Sequence, residues 1–560
     1  MHRTSPNLQG QAYLSQGNPE AAVRRLELSR EQDPGNSAIA QQLGEALHAS
    51  GRFEECFQAL APLASGAKTS VPLLRLLASA SLRTGRFDSV LGYSQALCAR
   101  EPHDAQAWHW QACAQLELGE PHGALQALEH ARRLAPRSAE ILNDMALACT
   151  LLGRNAEALR HLEEAIAYRP ADQQDFHRLT LLIEAGRDAE VIDLAGSLLA
   201  RHPGRHDVRA LLGWARIWSG QGEAGLQTIE DAYRASPPGD TSVRMHCAFA
   251  NLLLGRFARG WELNEGRFTG NPLAAGRRTA VPDWRGLGDL TGKTLLLYPE
   301  QGVGDLLQFC RYVLLLQERG AHIVLEAPAD LHGLLASLEP SLQLALPGSV
   351  VPADWQCPIM SLPYALQTRL DSIPAQACYL TAAPEAIARW RARLGSTTRP
   401  RIGLAFSGNP RHAADRRRSM NLEQLLPIFG ADLEFHLLQP TLRSHDVPVM
   451  ERLALVDHRP HLHDFSDTAA LIACMDLVIS VDTSVAHLAG ALGVPAWVLL
   501  ARPSEWRWLL ERRDTPWYPG MRLYRMQSRG DWSGVVSELA ADLAALAARP
   551  GLGHARVVAP

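Results

Sequence analysis

The sequence predicts an α + α/β protein, in which an all-α array of helical repeats precedes two lobes that are each built on a parallel sheet. Glycines and prolines recur at intervals of 33 to 35 residues through the first half of the chain. In the second half, apolar runs of strand length alternate with segments of helix length, as parallel sheets require. Two of those runs end in turns that carry polar residues and lead into helices.

Bulk properties exclude several classes of protein. The 560 residues favour three or four domains, and contents of 46% hydrophobic and 20% charged residues are typical of globular proteins. A net charge of −4 offers no electrostatic basis for a nucleic-acid partner. Nine dispersed cysteines without a C-x-x-C pair disfavour disulfides and structural zinc, so we expect no metal. Without a signal peptide or a transmembrane run, we expect a cytoplasmic protein.

An internal repeat accounts for the first half. Its glycine ladder consists of Gly17, Gly51, Gly85, Gly119, Gly153, Gly186, Gly220 and Gly255. Its proline ladder consists of Pro34, Pro102, Pro136, Pro170, Pro203 and Pro237. Small residues stand between them, such as Ala112, Ala124 and Ala131. Glycine ends a first helix, small residues let two helices approach, and proline ends the second helix.

This pattern resembles the tetratricopeptide repeat family, and we assign about seven units to residues 5–268, some of them degenerate. The resemblance implies a superhelix whose concave groove binds a protein or an extended peptide. The alternative is an array that only holds the second half or a dimer partner.

Two half-domains are expected after a linker at residues 269–291, which is rich in glycine, proline and arginine. The strand-like runs "KTLLLYP", "AHIVLEAP" and "SLQLALP" form a first lobe at residues 292–395. The runs "RIGLAF", "EFHLLQP", "MDLVISV" and "PAWVLL" and a closing helix form a second lobe at residues 396–548, before a tail at 549–560. Ligands of such sheets bind at the carboxyl ends of strands, which predicts a site in the cleft between the lobes.

One candidate site lies in the second lobe, in "LVISVDTSVAHLAGALGVP". A buried strand runs into a helix that opens at Asp482, Thr483 and Ser484, where free backbone N–H groups and hydroxyls suit an anion. His487 lies one turn further on the same face. The alternative is an N-cap at Asp482 or Thr483 and a satisfied surface histidine.

A second candidate is the basic loop "FSGNPRHAADRRRSM", which follows the strand "RIGLAF" and precedes a helix expected to start near Asn421. Arginine donates two hydrogen bonds at once to a diphosphate, which favours Arg416 and Arg418 as ligands. Asn409, His412 and Ser419 are secondary candidates. The alternative is a solvated loop.

The third candidate is the turn "PEQGVGDLLQF" of the first lobe. Leu307 occupies the position at which a dinucleotide fingerprint needs its third glycine, so Gly302 and Gly304 do not predict a pyrophosphate cradle. Asp305 follows the second glycine, and Gln301 precedes the first. From local chemistry alone, Asp305 suits a cap of the following helix.

Residues from roughly 290 to 545 resemble glycosyltransferase family 9, the heptosyltransferases, whose fold is GT-B with two Rossmann-like sheets. The motifs that carry the resemblance are "GVGDLLQF" and "DTSVAHLAGALGVP". Ser484 stands where the family usually has glycine, which narrows the space for a phosphate. A repeat array joined to such a module resembles a group of bacterial proteins.

The resemblance implies a metal-independent, inverting transferase. Asp305 would be the general base, and Gln301, Gly302 and Gly304 would form the acceptor-side loop, whose glycines let the substrate approach. The diphosphate of a nucleotide-sugar donor would rest on the helix start at Thr483 and on the basic loop. No cofactor beyond that donor is expected, and UDP, ADP, GDP and CMP donors stay open.

Two other functions remain. The second half could be a degenerate transferase-like domain in a non-catalytic scaffold, or a module whose nucleotide binding alters the repeat groove. Aromatic residues in "SEWRWLLERRDTPWYP" suit either a stacked ligand or a core between the lobes.

Overall fold

The computed structural model of the chain describes residues 6–64, 69–269, 280–410 and 415–548. The described part is mostly helical, with repeat helices first and two parallel sheets after them, which confirms the predicted fold class. The chain forms two compact units, Met1–Arg187 and Asp188–Pro560. Within the described residues, no helix combines the length and the hydrophobicity that crossing a bilayer needs.

Sixteen described helices precede the first strand, and they follow one another as eight pairs, one more than the sequence analysis counts. They are Pro6–Ser15 (α1), Pro19–Gln32 (α2), Ser37–Ala49 (α3), Phe53–Leu60 (α4), Val71–Arg83 (α5), Phe87–Arg100 (α6), Ala105–Glu117 (α7), Pro121–Leu134 (α8), Ala139–Leu151 (α9), Asn155–Tyr168 (α10), Asp172–Ala185 (α11), Asp188–Arg201 (α12), His206–Trp218 (α13), Gly222–Ala235 (α14), Thr241–Leu253 (α15) and Phe257–Asn264 (α16). All eight ladder glycines follow the first helix of a pair, with φ between 69° and 83°. That left-handed conformation ends a helix and strongly favours glycine, which explains the ladder.

Small residues bring the paired helices together, as predicted. A Cβ atom on Gly213 would lie 2.4 Å from Ile229 Cγ1 and 2.7 Å from the carbonyl oxygen of Gly225. Only glycine allows α13 and α14 to approach this closely. In α7 and α8, Ala112 and Ala124 are fully buried.

The last repeats share a core with the first lobe. One hydrophobic cluster contains Ile229 and Trp261 from the repeats together with Leu297 and Phe309 from the lobe. Packing therefore crosses the predicted domain boundary at residue 268. Of the predicted linker, residues 270–279 lie outside the described residues. Trp284, which follows them, is buried, and its backbone N–H donates to the backbone carbonyl oxygen of Gln356 at 2.8 Å.

The first lobe has four parallel strands in the order β3-β2-β1-β4. They are Thr294–Tyr298 (β1), His322–Glu326 (β2), Gln343–Ala345 (β3) and Trp355–Pro358 (β4), and its helices are Val303–Phe309 (α17), Tyr312–Glu318 (α18), Ala329–Leu335 (α19), Leu362–Ala365 (α20) and Pro384–Leu394 (α21). The prediction missed β4, because "WQCP" is too short and polar to register as an apolar run. The helix predicted over "DLLQFCRYVLLLQERG" is two helices, with Arg311 at the break.

The second lobe has six parallel strands in the order β10-β9-β8-β5-β6-β7. They are Arg401–Ala405 (β5), Glu434–Leu437 (β6), Leu455–Val456 (β7), Leu477–Val481 (β8), Ala496–Leu500 (β9) and Met521–Arg525 (β10), and its helices are Asp415–Arg418 (α22), Val447–Met450 (α23), Phe465–Ile472 (α24), Ser484–Ala491 (α25) and Ser533–Ala547 (α26). The helix expected near Asn421 is a 3₁₀ segment, Leu422–Gly430, since Pro427 inside it lacks an N–H donor. Helix α26 packs on this segment and on β10.

Candidate active site

The glycine turn of the first lobe joins β1 to α17. Gly302 occupies the N-cap of α17, and its N–H donates to Oδ2 of Asp305 at 3.1 Å. The carboxylate of Asp305 therefore caps its own helix, which is the alternative that local chemistry offered. Gln301 and Gly302 are exposed, and the side chain of Asp305 is 15% exposed.

Arg507 of the second lobe holds the same carboxylate. Its Nη2 donates to Asp305 Oδ1 at 2.5 Å and its Nε donates to Gln308 Oε1 at 2.9 Å, while its Nη1 pairs with Glu505. Its side chain is only 9% exposed, and the guanidinium lies 4.8 Å from the centroid of the Trp506 ring. Arg507 was not among the predicted site residues. The feature of the sequence that could have indicated it is a single arginine between two tryptophans in "EWRWLL".

The motif "DTSVAHLAG" of the second lobe opens α25, as predicted. Thr483 is the N-cap residue, but its side chain accepts no N–H of the helix, and its hydroxyl lies 3.1 Å from Ser480 Oγ. Asp482 and Thr483 are buried, whereas Ser484 is half-buried at the first helical position. With no side-chain cap in place, the first N–H groups of α25 are available to an anion.

His487 is a buried residue rather than the surface histidine of the alternative. Only 4% of it is exposed. Its Nδ1 lies 2.9 Å from the hydroxyl of Tyr518, and its ring stacks on Trp508 with centroids 5.6 Å apart. These contacts fix the orientation of the ring, so that Nε2 is the nitrogen left for a ligand.

The electrostatic environment keeps His487 neutral. Burial lowers its pKa well below 6.5, and the positive charges of Arg507, Arg311 and Arg418 lower the pKa further. Those three cations converge near the start of α25. A neutral imidazole can donate or accept one hydrogen bond there without adding charge.

The two lobes meet at Gly304. A Cβ atom on this residue would lie 3.0 Å from Cδ2 of His487 and 3.8 Å from Cα of Ser484. The glycine turn of one lobe thus faces the helix start of the other. Because Gly304 has no side chain, the ring of His487 can approach it closely. Gly302 has no such neighbour, since a Cβ atom there would meet only Asp305 Oδ2, at 3.7 Å.

Buried polar contacts hold the described residues of the basic loop after β5, those outside 411–414. The hydroxyl of Ser419 donates to Asp415 Oδ1 at 2.7 Å and accepts the N–H of Gly408 at 3.0 Å. Arg443 Nη2 donates to Asp415 Oδ2 at 2.5 Å. These bonds engage Ser419 within the loop, and they position the residues around it.

Arg418 differs in burial from Arg416 and Asn409, two other predicted ligands of the basic loop. Arg418 is half-buried, and its Nε is buried without an acceptor in the part of the chain that the structure describes. Arg416 and Asn409 are exposed. His412 lies outside the described residues. Arg418 is therefore the candidate that lies near His487 with an unused donor, its Nε, among the described residues.

Arg311 is a second arginine that the sequence analysis missed. It is fully buried, and it donates to Trp517 O at 2.6 Å and to the hydroxyl of Tyr379 at 3.0 Å. Its guanidinium also lies 4.5 Å from the ring centroid of Tyr518. The signal was an arginine inside the apolar stretch "FCRYVLLL". The bond to Trp517 ties α17–α18 of the first lobe to the second lobe.

The aromatic stretch after β9 is core rather than an exposed stacking platform. Its members Trp506, Trp508, Trp517 and Tyr518 are all buried. Trp506 packs edge-on against Trp261 of the last repeat, with ring centroids 5.1 Å apart. Trp517 packs edge-on against Phe309 of the first lobe, with ring centroids 5.8 Å apart. This aromatic junction therefore joins the last repeat to both lobes.

A buried ion pair lies just before the glycine turn. Arg267, which follows α16, donates from Nη2 to Glu300 Oε1 at 2.6 Å and to Ser361 Oγ at 2.8 Å. Glu300 Oε2 is buried without a partner in the described residues. Burial raises the pKa of Glu300 to about 7, although the charge of Arg267 opposes that rise.

Comparisons with known proteins agree with both halves of the sequence. Residues 13–70 match the tetratricopeptide repeat family, and residues 462–509 match glycosyltransferase family 9 (heptosyltransferase). Protein FlbA of Caulobacter vibrioides is 28% identical over 517 residues, which is 84% of each chain.

Solved structures are similar to part of the chain. A tetratricopeptide repeat protein from Parabacteroides merdae is 16% identical, over 44% of this chain and 97% of that one, with a TM-score of 0.32. MamA from Desulfovibrio magneticus is 17% identical, over 30% of this chain and 97% of that one, with a TM-score of 0.28.

Proposed function

We propose that this chain, which carries tetratricopeptide repeats at its N-terminus and a glycosyltransferase family 9 domain at its C-terminus, transfers a sugar from a nucleotide-diphosphate sugar to a protein acceptor. The observation that carries the proposal is the 3.0 Å approach between the Cβ position of Gly304 and His487. It brings a carboxylate and an anion-binding helix start to the same place, which a group-transfer site requires.

The donor side consists of the start of α25 and Arg418. Unpaired N–H groups at Ser484 and the partly buried guanidinium of Arg418 suit the diphosphate. His487, which is neutral, would add one hydrogen bond through Nε2. When the bond between the anomeric carbon and the phosphate oxygen breaks, these donors would stabilise the charge that develops on the leaving nucleoside diphosphate.

Asp305 is the proposed base. It would take the proton of an acceptor hydroxyl as that oxygen attacks the anomeric carbon from the opposite face, with inversion. Its contacts with Arg507 and Gly302 each use one lone pair, and a carboxylate offers about four acceptor positions, so a third partner can be accepted. Arg507 then orients the base.

The repeats would recruit the acceptor. A repeat array buries its apolar faces only between neighbours, which leaves one extended surface free for a polypeptide. The last repeat shares the aromatic junction with both lobes, through contacts such as Trp261 with Trp506. A protein bound to the repeats would therefore stay close to the transferase domain.

A non-catalytic scaffold is the second candidate. The observation that favours it is the double engagement of Asp305 by Arg507 and Gly302, in lobes that Gly304 brings into contact. In a scaffold these contacts would serve only to hold the lobes together.

Calorimetric titration with UDP, ADP, GDP, CMP and their sugar conjugates separates the two. We expect micromolar binding of one nucleotide, weakened about 10- to 100-fold in Arg418→Ala, since hydrogen bonds to charged groups contribute about 1.5–3 kcal/mol. Arg452→Ala, an exposed arginine of the same lobe, is the control and should bind as the wild type does. A folded protein that binds none of these nucleotides would favour the scaffold.

A further inference from the structure

Three different ligand-type side chains meet in the repeat array. Nε2 of His109, Sγ of Cys113 and a carboxylate oxygen of Asp144 all lie within 4.8 Å of one another. All three residues are half-buried, and no other trio of this kind occurs among the described residues.

The repeat geometry explains the convergence. His109 and Cys113 are four residues apart on α7, so both project from the same helix face. Asp144 is on α9, the first helix of the next pair, 35 residues after His109. Since that distance is about one repeat period, the two residues occupy matching positions of neighbouring repeats.

The side chains of His109 and Cys113 both contact the same carboxylate oxygen of Asp144. His109 Nε2 lies 2.6 Å from Asp144 Oδ2, and Cys113 Sγ donates to the same oxygen at 3.5 Å. A divalent cation at this position would favour the thiolate form of Cys113 and neutralise the carboxylate of Asp144.

We propose that His109, Cys113 and Asp144 bind a Zn²⁺ ion in the repeat array. Thiolate, imidazole and carboxylate together suit zinc, whereas magnesium and calcium select oxygen ligands. Two ligand charges, from the thiolate and the carboxylate, balance the charge of the ion. Three protein ligands leave the fourth tetrahedral position for water or for a donor group of a bound polypeptide.

The distances require only a small adjustment. Zinc bonds of about 2.0–2.3 Å at tetrahedral angles separate neighbouring ligand atoms by roughly 3.4–3.6 Å. Cys113 Sγ and Asp144 Oδ2 already have that separation, at 3.5 Å. His109 and Asp144 must widen from 2.6 Å, and the side chain of Asp144, which is 29% exposed, has room to rotate.

The sequence predicts no metal, because its cysteines form no closely spaced pair such as C-x-x-C. A histidine and a cysteine four residues apart on a predicted helix were the available signal. The third ligand comes from the next repeat, so only the tertiary structure identifies the set.

Titration of the tag-free full-length protein with Co²⁺, a spectroscopic substitute for zinc, tests the proposal. We expect one equivalent to bind, with the sulfur-to-cobalt charge-transfer band of a thiolate ligand and the visible bands of tetrahedral cobalt. Zn²⁺ should displace it and raise the Tm. In Cys113→Ser the charge-transfer band should disappear, and in His109→Gln and Asp144→Asn the affinity should fall by more than the about 10–100-fold that loss of an outer-shell partner costs.

Matched controls exclude a general effect of the substitutions. Cys378→Ser removes the exposed cysteine and His103→Gln an exposed histidine, and both should bind cobalt as the wild type does. Circular dichroism without metal should be the same for all variants. A charge-transfer band that persists in Cys113→Ser, or wild-type protein that binds no equivalent of Co²⁺ or Zn²⁺, would overturn the proposal.

Discussion

Arg507 Nη2 and Asp305 Oδ1 are 2.5 Å apart, although the two residues are 202 positions apart in the sequence. The contact joins the second lobe to the glycine turn of the first. Both side chains are largely buried, at 9% and 15% exposure. This ion pair therefore fixes the carboxylate that the proposed mechanism needs, and it also holds the lobes together.

Removal of Arg507 should destabilise the protein. Arg507→Ala leaves the partly buried charge of Asp305 without its cation, and loss of one partner of a buried pair costs about 3–5 kcal/mol. Arg512→Ala breaks an exposed pair with Asp514, which contributes about 0–1 kcal/mol. Thermal unfolding of both variants measures the difference. Equal shifts of Tm in the two variants would contradict a structural role for Arg507.

Asp305→Asn tests the base. The amide keeps the size of the side chain, so nucleotide binding in calorimetry should be nearly unchanged. Turnover of the bound donor to nucleoside diphosphate should fall about 10²–10⁴-fold, which is the usual contribution of general base catalysis. Asp330→Asn, an exposed acid of the same lobe, should turn over donor normally. Wild-type turnover in Asp305→Asn would rule out this residue as the base.

Substitutions of Gly304 and Gly302 test what the glycines are for: they either allow the two lobes to contact each other or allow the substrate to approach. Gly304→Ala places a Cβ atom 3.0 Å from the fixed ring of His487, and such overpacking costs about 1–3 kcal/mol. Gly302→Ala meets only Asp305 Oδ2 at 3.7 Å, with an ordinary φ of −71°. Thermal unfolding should therefore show a lower Tm for Gly304→Ala alone. If both variants keep the wild-type Tm and lose donor turnover equally, the glycines serve the substrate instead.

The buried carboxyl of Glu300 predicts an unusual dependence of stability on pH. Its pKa is raised from 4.5 to about 7 by burial, above its value in the unfolded chain. Its contribution to stability is therefore fully present below pH 4.5 and is lost as the pH rises through 7. At about 1.4 kcal/mol per pKa unit, the rise from 4.5 to about 7 corresponds to a loss of at most about 3.5 kcal/mol.

Glu300→Gln measures that contribution. The amide imitates the protonated carboxyl and does not titrate, so the free energy of unfolding of the wild type should fall relative to the variant as the pH rises from 4.5 to about 7, the window that the two pKa values define. Glu318→Gln, which changes an exposed carboxyl of the same lobe, should follow the wild type at every pH. Parallel profiles for Glu300→Gln and the wild type would contradict the raised pKa.

Local patterns allowed much of the fold to be predicted. Glycines such as Gly119 revealed the repeats because a left-handed helix end needs glycine wherever it occurs. The strands β4, β7 and β10 were missed. The first two have only two to four residues, which provide no periodicity, and β10, "MRLYR", contains two arginines and is not an apolar run. The two motifs of the lobes were located at a strand end and a helix start, but their partners were not.

By itself, the sequence determined the repeat array, the two parallel sheets, the position of Asp305 after a glycine turn and that of His487 near the start of a helix. It did so because helix ends, strand alternation and turns depend on neighbouring residues. Only the tertiary structure decided that Arg507 holds Asp305, that Arg311 and the aromatic junction join the lobes, and that Asp144 meets His109 and Cys113. Those contacts depend on how distant segments pack, and no local pattern encodes which side chain will lie opposite another.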